Sequence, residues 1–300
     1  MLDAEIIDKK FGRYLLGNVS LELLTEGHRW TEGPVWFCDA ACLLFSDIPN
    51  NRIMRWIEGV GTSIYRQPSQ FANGGTRDQQ GRLISCLHGA RGIARTGHDG
   101  SIAVLADRFQ GKRLNSPNDV VVASDGAIWF TDPHYGIATD YEGCRAEQEL
   151  PCQVYRFDPA DASLRVVADE FSGPNGLCFS PDESRIYIAE TGRLHDEDAQ
   201  REIREFDVLD LSAGKLGPSR HFYAPASGAA DGFRADEDGN IWTSAGEGVH
   251  CVSPAGDLLG KIKLGKTVSN LTFGGRHLSR LLICASDSVY ALYLNRRGAR

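Results

Sequence analysis

The sequence predicts an all-β protein, a six-bladed β-propeller built from four-stranded antiparallel blades. Two observations predict this fold. Strand-like segments recur in six similar units along the 300 residues, and helical periodicity is almost absent. A β-sandwich would not need self-similar units, whereas a propeller requires them. Hydrophobic residues make up 42% of the chain, which is enough for a packed core. We therefore expect residues 1–300 to form a single propeller domain without a linker.

Each unit contains three strand-like segments, named A, B and C in chain order. The A segments begin at residues 32, 73, 118, 175, 231 and 270. The B segments cover 43–47, 82–86, 127–132, 185–190, 240–245 and 280–285. The C segments cover 51–56, 91–96, 153–158, 202–207, 248–253 and 288–293. Polar turn residues between A and B indicate tight hairpins.

A fourth segment, D, follows in five of the six units. The D segments cover 62–66, 101–106, 164–168, 220–223 and 258–264. The chain ends before the sixth unit has a fourth strand. We expect residues 20–25 to supply that strand and to close the ring, because closure removes the exposed edges of a sheet array.

The first residue of every A segment carries a side-chain oxygen. These residues are Glu32, Asn73, Asn118, Asn175, Asp231 and Asn270. In an up-and-down blade the start of A lies on one face, so the pattern predicts six oxygen-bearing side chains around one mouth of the central tunnel. Such oxygens suit one hard divalent cation, Ca²⁺ first and Mg²⁺ or Mn²⁺ next, and catalytic Zn²⁺ stays open. Asn and Asp also favour strand starts for local backbone reasons, which is the alternative explanation.

Composition indicates which binding partners and which cellular compartment to expect. The net charge of −8 argues against nucleic acid and anionic membranes, which need a basic face. The N-terminus shows no apolar leader core, and no membrane-spanning apolar run occurs. The eight cysteines form no C-x-x-C pair and several lie in apolar segments, so we expect a reduced, cytoplasmic protein. A disulfide between Cys144 and Cys152 stays open.

Five stretches occur in a distinctive order along the chain. They are E-G-P-V-W (32–36), S-P-N-D-V-V-V (116–122), W-F-T-D-P-H-Y-G (129–136), G-P-N-G-L-C-F-S-P-D (173–182) and the A-D-G-F and D-E-D-G-N-I-W block (230–242). Together they resemble the senescence marker protein/gluconolactonase family, which includes regucalcin, and most closely its bacterial gluconolactonase-like branch. The resemblance implies a six-bladed propeller and a metal-dependent lactonase.

The resemblance also implies a ligand set for the metal. The family holds its metal with a Glu of the first inner strand, the Asn of an N-D motif, the Asn of a P-N-G motif and the Asp of a D-G motif. In this chain these positions are Glu32, Asn118, Asn175 and Asp231. They are four of the six positions that the repeat identifies without the resemblance.

The chain departs from the family pattern at three positions. Leu87 stands where the family usually has Glu, Gly92 lies near the place of a usual second Arg, and Ser116 stands where regucalcin has an Arg that contacts substrate. These departures leave the identity of the substrate open and do not affect the metal ligands.

The expected chemistry is the opening of a sugar lactone, such as gluconolactone, to the aldonic acid. A cation in the tunnel would polarise the lactone carbonyl, and a carboxylate would accept a proton from the attacking water. Asp231 is the first choice for this base, as the resemblance also implies, and Glu32 is the substitute. The chain has neither a G-x-S-x-G elbow nor an H-E-x-x-H motif.

Substrate contacts are expected from loops on the same face. Two long B–C connections, 133–151 and 191–201, are candidate lids, and His195 lies in the second. The residues predicted to contact substrate are Asn73, Arg113, Asn115, Asp132, His134 and Tyr135.

Two other functions fit the same site. A phosphotriesterase or arylesterase would use the same metal ligands. A calcium-binding or interaction propeller without catalysis would need the fold and the cation alone. The sequence does not distinguish between lactones of different ring size, and it leaves the oligomeric state open.

Overall fold

The computed structural model describes residues 2–192 and 200–299, and it is nearly all-β. Its strands form six small antiparallel sheets arranged as blades around a central tunnel, which confirms the predicted six-bladed propeller. In each blade the A strand lies innermost and B and C follow outward; the outer D strand comes next in the chain in blades 1 to 5, and from the N-terminal segment in blade 6. Within the described stretches, no helix has both the length and the apolar character needed to cross a membrane.

Strands β1 (Ala4–Ile6) and β2 (Glu22–Thr25) precede the first blade, with the short helix α1 (Lys9–Gly12) between them. Blade 1 consists of β3 (Thr31–Phe37), β4 (Cys42–Asp47), β5 (Arg52–Ile57) and β6 (Gly61–Arg66), with a 3-10 turn at Ile48–Asn50. Blade 2 consists of β7 (Ala72–Arg77), β8 (Leu83–Leu87), β9 (Gly92–Thr96) and β10 (Ile102–Ala106). A two-stranded ribbon of β11 (Arg108–Phe109) and β12 (Lys112–Arg113) leads to the third blade.

Blade 3 consists of β13 (Val120–Val122), β14 (Ile128–Asp132), β15 (Gln153–Asp158) and β16 (Ser163–Ala168), with helix α2 (Tyr135–Ala138) after β14. Blade 4 consists of β17 (Pro174–Phe179), β18 (Arg185–Glu190), β19 (Glu202–Asp210), β20 (Lys215–Leu216) and β21 (Arg220–Tyr223). Blade 5 consists of β22 (Phe233–Ala235), β23 (Ile241–Ala245), β24 (Gly248–Val252) and β25 (Leu258–Lys263). Blade 6 consists of β26 (Val268–Gly274), β27 (Arg280–Ala285) and β28 (Ser288–Tyr293), together with β2.

The N-terminal segment joins the last two blades at their outer edges. Strand β2 pairs antiparallel with β28, with Glu22 opposite Ala291, and so forms the outer strand of blade 6. Strand β1 pairs with β25 and adds a fifth strand to blade 5, which the sequence did not predict. Both pairings satisfy backbone groups that an open sheet edge would expose.

Large apolar side chains fill the wedges between neighbouring blades. Trp242 of blade 5 meets Phe273 of blade 6 edge to face, with ring centroids 6.2 Å apart. Phe11 of α1 packs on the same tryptophan at 5.9 Å. A side chain at Gly260 would collide with the Phe11 ring, so this glycine makes room for the helix. The N-terminal segment is thereby fixed to the core as well as to the sheet edges.

All eight cysteines are free thiols in the structure. Cys144 is exposed, whereas Cys152 is buried and its sulfur lies 3.3 Å from Nδ1 of His134. The disulfide that the sequence left open between these two residues is therefore not formed.

Glycines in the A strands allow neighbouring blades to approach closely at the tunnel wall. A Cβ at Gly176 would lie 2.0 Å from the backbone oxygen of Asp231 in the next blade. We expect Gly176→Ala to lower the free energy of unfolding by about 1–3 kcal/mol, because backbone atoms cannot move aside as a side chain would. Urea denaturation measures the difference.

Gly17→Ala is the matched control, since Gly17 is exposed and a Cβ there meets no atom within 4 Å. Equal stability of the two variants would contradict the tight contact between blades 4 and 5.

Candidate functional site

A backbone irregularity marks the inner strand of four blades at the tunnel mouth. The strand pairing shifts register between Glu32 and Val35 in blade 1, and similar shifts occur in blades 2, 4 and 6. In blades 3 and 5 the regular A strand starts two residues after Asn118 and Asp231, respectively. A bulge rotates a side chain away from its regular alternation, so these positions can turn toward the tunnel axis.

The six first residues of the A segments, which we name the mouth ring, are neighbours around the tunnel. The contacts run from blade to blade and are of three kinds: glycines pressed against the next backbone, backbone hydrogen bonds and side-chain hydrogen bonds. Gly33 and Gly176 face the backbone oxygens of Asn73 and Asp231, respectively, and Gly232 faces the Asn270 side chain. The backbone hydrogen bond runs from Gly74 N to Asn118 O (2.7 Å). The side-chain donors are Thr131 Oγ1, to Asn175 O (2.7 Å), and Asn270 Nδ2, to Glu32 Oε2 (3.0 Å). The mouth ring is thus closed, with one residue from each blade.

Glu32 is buried, with 4% of its surface exposed, and no cation pairs with it among the described residues. Its Oε2 accepts hydrogen bonds from Gly33 N at 2.8 Å and from Asn270 Nδ2 at 3.0 Å. Burial raises the pKa of Glu32 to about 8, with further contributions from the negative charges of Asp119 and Glu142. An ionised Glu32 therefore needs a positive partner at this position.

Asp231 belongs to blade 5, two blades away from Glu32 around the mouth ring, and is only partly exposed. Burial raises the pKa of Asp231 well above its ordinary value, and the charges of Glu32, Asp119 and Glu142 raise it further. The Asn175 side chain hydrogen-bonds this carboxyl group and lowers its pKa. The effect of the Glu32 charge on the pKa of Asp231 indicates that the two carboxylates lie near each other at the mouth ring.

The two remaining predicted ligands are amides. Among residues 2–192 and 200–299, the side chain of Asn118 has no hydrogen-bond partner, although only 6% of the residue is exposed. Asn175 Nδ2 lies 3.2 Å from Thr191 Oγ1. The part of the chain that the structure describes has no cluster of three or more His, Cys, Asp or Glu side chains suited to a metal. The four predicted ligands are instead two carboxylates and two amides, a composition typical of Ca²⁺ sites and not of structural Zn²⁺ sites.

An ion pair lies below the mouth ring, deeper in the tunnel. Asp119, the residue after Asn118, accepts from Arg234 NH1 at 3.5 Å, and both side chains are largely buried. Arg234 also lines a cavity of about 420 Å³ at the opposite end of the tunnel. Because the paired Arg234 is engaged with Asp119, it does not neutralise the carboxylates of the mouth ring.

Asn73 completes a hydrogen-bonded chain that the sequence did not predict. Its Nδ2 lies 3.2 Å from Nε2 of His88, and Nδ1 of His88 lies 2.8 Å from the backbone oxygen of Glu142. A neutral imidazole with the proton on Nδ1 satisfies both contacts at once. Asn73 Oδ1 is buried and has no hydrogen-bond partner among the described residues.

The long connection 133–151 follows β14 and covers part of the mouth ring. Its residue Glu142 is half-buried, and its charge raises the pKa of both Glu32 and Asp231, so its carboxylate lies near them. The hydroxyl group of Tyr135 donates to Gly173 O at 3.0 Å and contacts Thr191 Oγ1 at 2.6 Å. The loop is therefore attached to blade 4 beside the mouth ring.

The other predicted substrate contacts lie at different depths. Asn115 and Asp132 are fully buried, and Asp132 Oδ2 accepts from Asn115 N at 2.8 Å. Arg113 forms an ion pair with Asp107 at 2.8 Å, and His134 lies against Tyr135 with ring centroids 5.6 Å apart. A direct contact of any of these side chains with substrate stays a prediction. His195, in the second candidate lid, lies outside the described residues.

Sequence reasoning missed His88, Glu142 and the Asp119–Arg234 pair. His88 and Glu142 are far apart in the sequence, and no motif links them. The one available signal was the length of the 133–151 connection, which indicated a lid but not which of its side chains faces inward.

Several known lactonases are similar to this chain in sequence and fold. Residues 30–287 match a family model described as the SMP-30/gluconolactonase/LRE-like region. A gluconolactonase from Zymomonas mobilis is 32% identical to this chain, over 90% of the chain and 80% of that protein. The solved structure of a gluconolactonase from Xanthomonas campestris is 38% identical, with a TM-score of 0.90 and coverage of 98% of this chain and 96% of that one. A pentonolactonase from Haloferax volcanii is 26% identical, over 85% of the chain and 81% of that protein.

The buried imidazole of His88 gives stability a defined pH dependence. Burial lowers the pKa of His88 from 6.5 to about 4, although its hydrogen bond to Glu142 raises it in part. The unfolded chain binds a proton on His88 below pH 6.5 and the folded chain does not, so this stabilisation is present above pH 6.5 and is lost as the pH falls toward 4. We expect wild type to lose about 1.5 kcal/mol more than His88→Gln between pH 6.5 and pH 5.

Urea denaturation of both proteins at the two pH values measures this difference, and the other titrating groups cancel in the comparison. Equal losses in the two proteins would show that His88 is protonated in the folded state.

Proposed function

Because the chain belongs to the SMP-30/gluconolactonase/LRE-like family, we propose that it hydrolyses sugar lactones to aldonic acids with one divalent cation at the mouth ring. The predicted lactonase class is confirmed by the gluconolactonase relatives. The observation that carries the proposal is that the charge of buried Glu32 raises the pKa of partly exposed Asp231, while neither carboxylate has a cationic partner among the described residues.

The chemistry of the donors supports a cation at this place. Glu32, Asn118, Asn175 and Asp231 would hold it, with two negative charges to balance a divalent ion. The Asn118 amide, which has no side-chain partner among the described residues, and the two carboxylates with raised pKa values are oxygen donors that fit a divalent cation. When bound, the cation supplies polarisation of the lactone carbonyl and stabilisation of the charge that develops on its oxygen.

Asp231 is the proposed base for the attacking water. Its carboxylate accepts a proton from the water as the oxygen bonds to the lactone carbonyl carbon. The bond between that carbon and the ring oxygen then breaks, and the proton passes from Asp231 to the ring oxygen, which becomes a hydroxyl group of the aldonic acid. The hydrogen bond from Asn175 holds the Asp231 carboxyl in place.

A conservative change at the base tests the mechanism. We expect Asp231→Asn to lower kcat/KM for gluconolactone by at least about a hundredfold while the protein stays folded, because the amide can neither accept the proton nor balance the cation. A pH-indicator assay measures turnover above the spontaneous rate, and circular dichroism checks the fold.

Asp257→Asn is the control, because Asp257 is exposed in the hairpin between β24 and β25, on the opposite face of blade 5. Full activity of Asp231→Asn would refute the assigned base. A parallel assay with paraoxon and an aryl ester distinguishes the lactonase from the esterase alternative.

Cation binding should also stabilise the protein. We expect Ca²⁺ at a hundred times its Kd to add about 2.7 kcal/mol to the stability of metal-stripped wild type, since it binds only the folded chain. Glu32→Gln should lose most of this gain, because it removes one of the two charges. Thermal unfolding with Ca²⁺, Mg²⁺, Mn²⁺ or Zn²⁺ added back measures the effect of each. Equal stabilisation of both proteins by every cation would place the cation elsewhere.

A further inference from the structure

The 133–151 connection is held in one conformation by contacts that do not involve substrate. The imidazole of His88 hydrogen-bonds the backbone oxygen of Glu142 at 2.8 Å. A Cβ at Gly136 would lie 2.4 Å from the His88 ring, and one at Gly143 would lie 2.0 Å from the oxygen of Gly136. Cys144 N donates to that same oxygen at 3.0 Å. The segment around Glu142 is therefore packed on His88 and on itself.

His88 also fixes the amide of Asn73. With its proton on Nδ1, the imidazole accepts at Nε2, so the Asn73 nitrogen is the donor in this contact. The amide oxygen of Asn73 therefore takes no part in the contact with His88. Asn73 belongs to the mouth ring and is 5% exposed, and its Oδ1 has no partner among the described residues. A buried acceptor without a donor is costly, so a ligand hydroxyl group that donates to Asn73 Oδ1 would bind favourably.

The carboxylate of Glu142 is a second acceptor at the same mouth. Within the described residues it forms no hydrogen bond and no ion pair, and it is half-buried. Two acceptors without donors, joined through one histidine, fit a ligand that carries several donors and no negative charge. A polyhydroxylated lactone has this chemistry, and an aryl ester or a phosphotriester does not.

We propose that Asn73 Oδ1 and the Glu142 carboxylate accept hydrogen bonds from substrate hydroxyl groups, and that His88 is the positioning residue that joins them. The inference rests on the proposed lactonase function. It explains why the protein would prefer lactones that carry hydroxyl groups. The site selects by hydroxyl groups because an unhydroxylated lactone leaves both buried acceptors without donors.

The test compares gluconolactone with δ-valerolactone, which has the same ring and no hydroxyl groups. We expect Glu142→Gln to raise KM for gluconolactone by about ten- to a hundredfold with kcat changed by less than about threefold, and to leave kcat/KM for δ-valerolactone within about twofold. If δ-valerolactone turnover is too slow to measure, its inhibition constant against gluconolactone replaces kcat/KM. Glu147→Gln is the matched control, because Glu147 is exposed on the same loop.

The positioning role of His88 has its own readout. His88→Phe should lose the preference for gluconolactone over δ-valerolactone, and His88→Gln should restore part of it, because Gln can donate to one neighbour and accept from the other. Equal losses for both lactones in these variants would show a structural role only.

Other outcomes overturn the inference. An unchanged KM for gluconolactone in Glu142→Gln would do so, and so would an equal fall in kcat/KM for both lactones. A loss of Ca²⁺ affinity in Glu142→Gln as large as that in Glu32→Gln, measured by calorimetry, would make Glu142 a metal ligand instead. Failure of wild type to hydrolyse any lactone with any cation is a different result, because it rejects the proposed function itself.

Discussion

The constraint on which the site depends is the burial of two carboxylates at one mouth of the tunnel. Glu32 and Asp231 come from blades 1 and 5, and the charge of Glu32 raises the cost of ionising Asp231. The nearest arginine in the tunnel, Arg234, is already paired with Asp119. Two carboxylates held near each other raise the free energy of the folded protein, and a bound cation would lower it. The proposed chemistry follows from this arrangement.

The propeller builds the arrangement from repeated backbone features. Register shifts interrupt the inner strands of blades 1, 2, 4 and 6 near the mouth ring, and glycines let neighbouring blades approach closely at the tunnel wall. Each proposed ligand comes from a different blade, so the geometry of the site depends on the packing between blades. Closure by β2, together with the packing of Phe11, ties the last blades to the N-terminal segment.

The sequence predicted the fold and the mouth ring because both are periodic. Four strands per unit and one oxygen-bearing residue at each A start are visible in one chain, and a repeat places equivalent residues at equivalent positions. It could not predict the hydrogen-bonded chain from Asn73 through His88 to Glu142, because a loop conformation depends on packing and not on period. The sequence also could not predict how exposed each candidate side chain is. Asp132, which we expected to contact substrate, is fully buried and hydrogen-bonded to Asn115.

The central claim is that four side chains from four blades hold a single divalent cation. Anomalous diffraction from crystals grown with Mn²⁺ tests it most directly. We predict one strong anomalous peak within bonding distance of oxygens of Glu32, Asn118, Asn175 and Asp231. A peak elsewhere with none at the mouth ring, or these four side chains too far apart to share an ion, would contradict the claim.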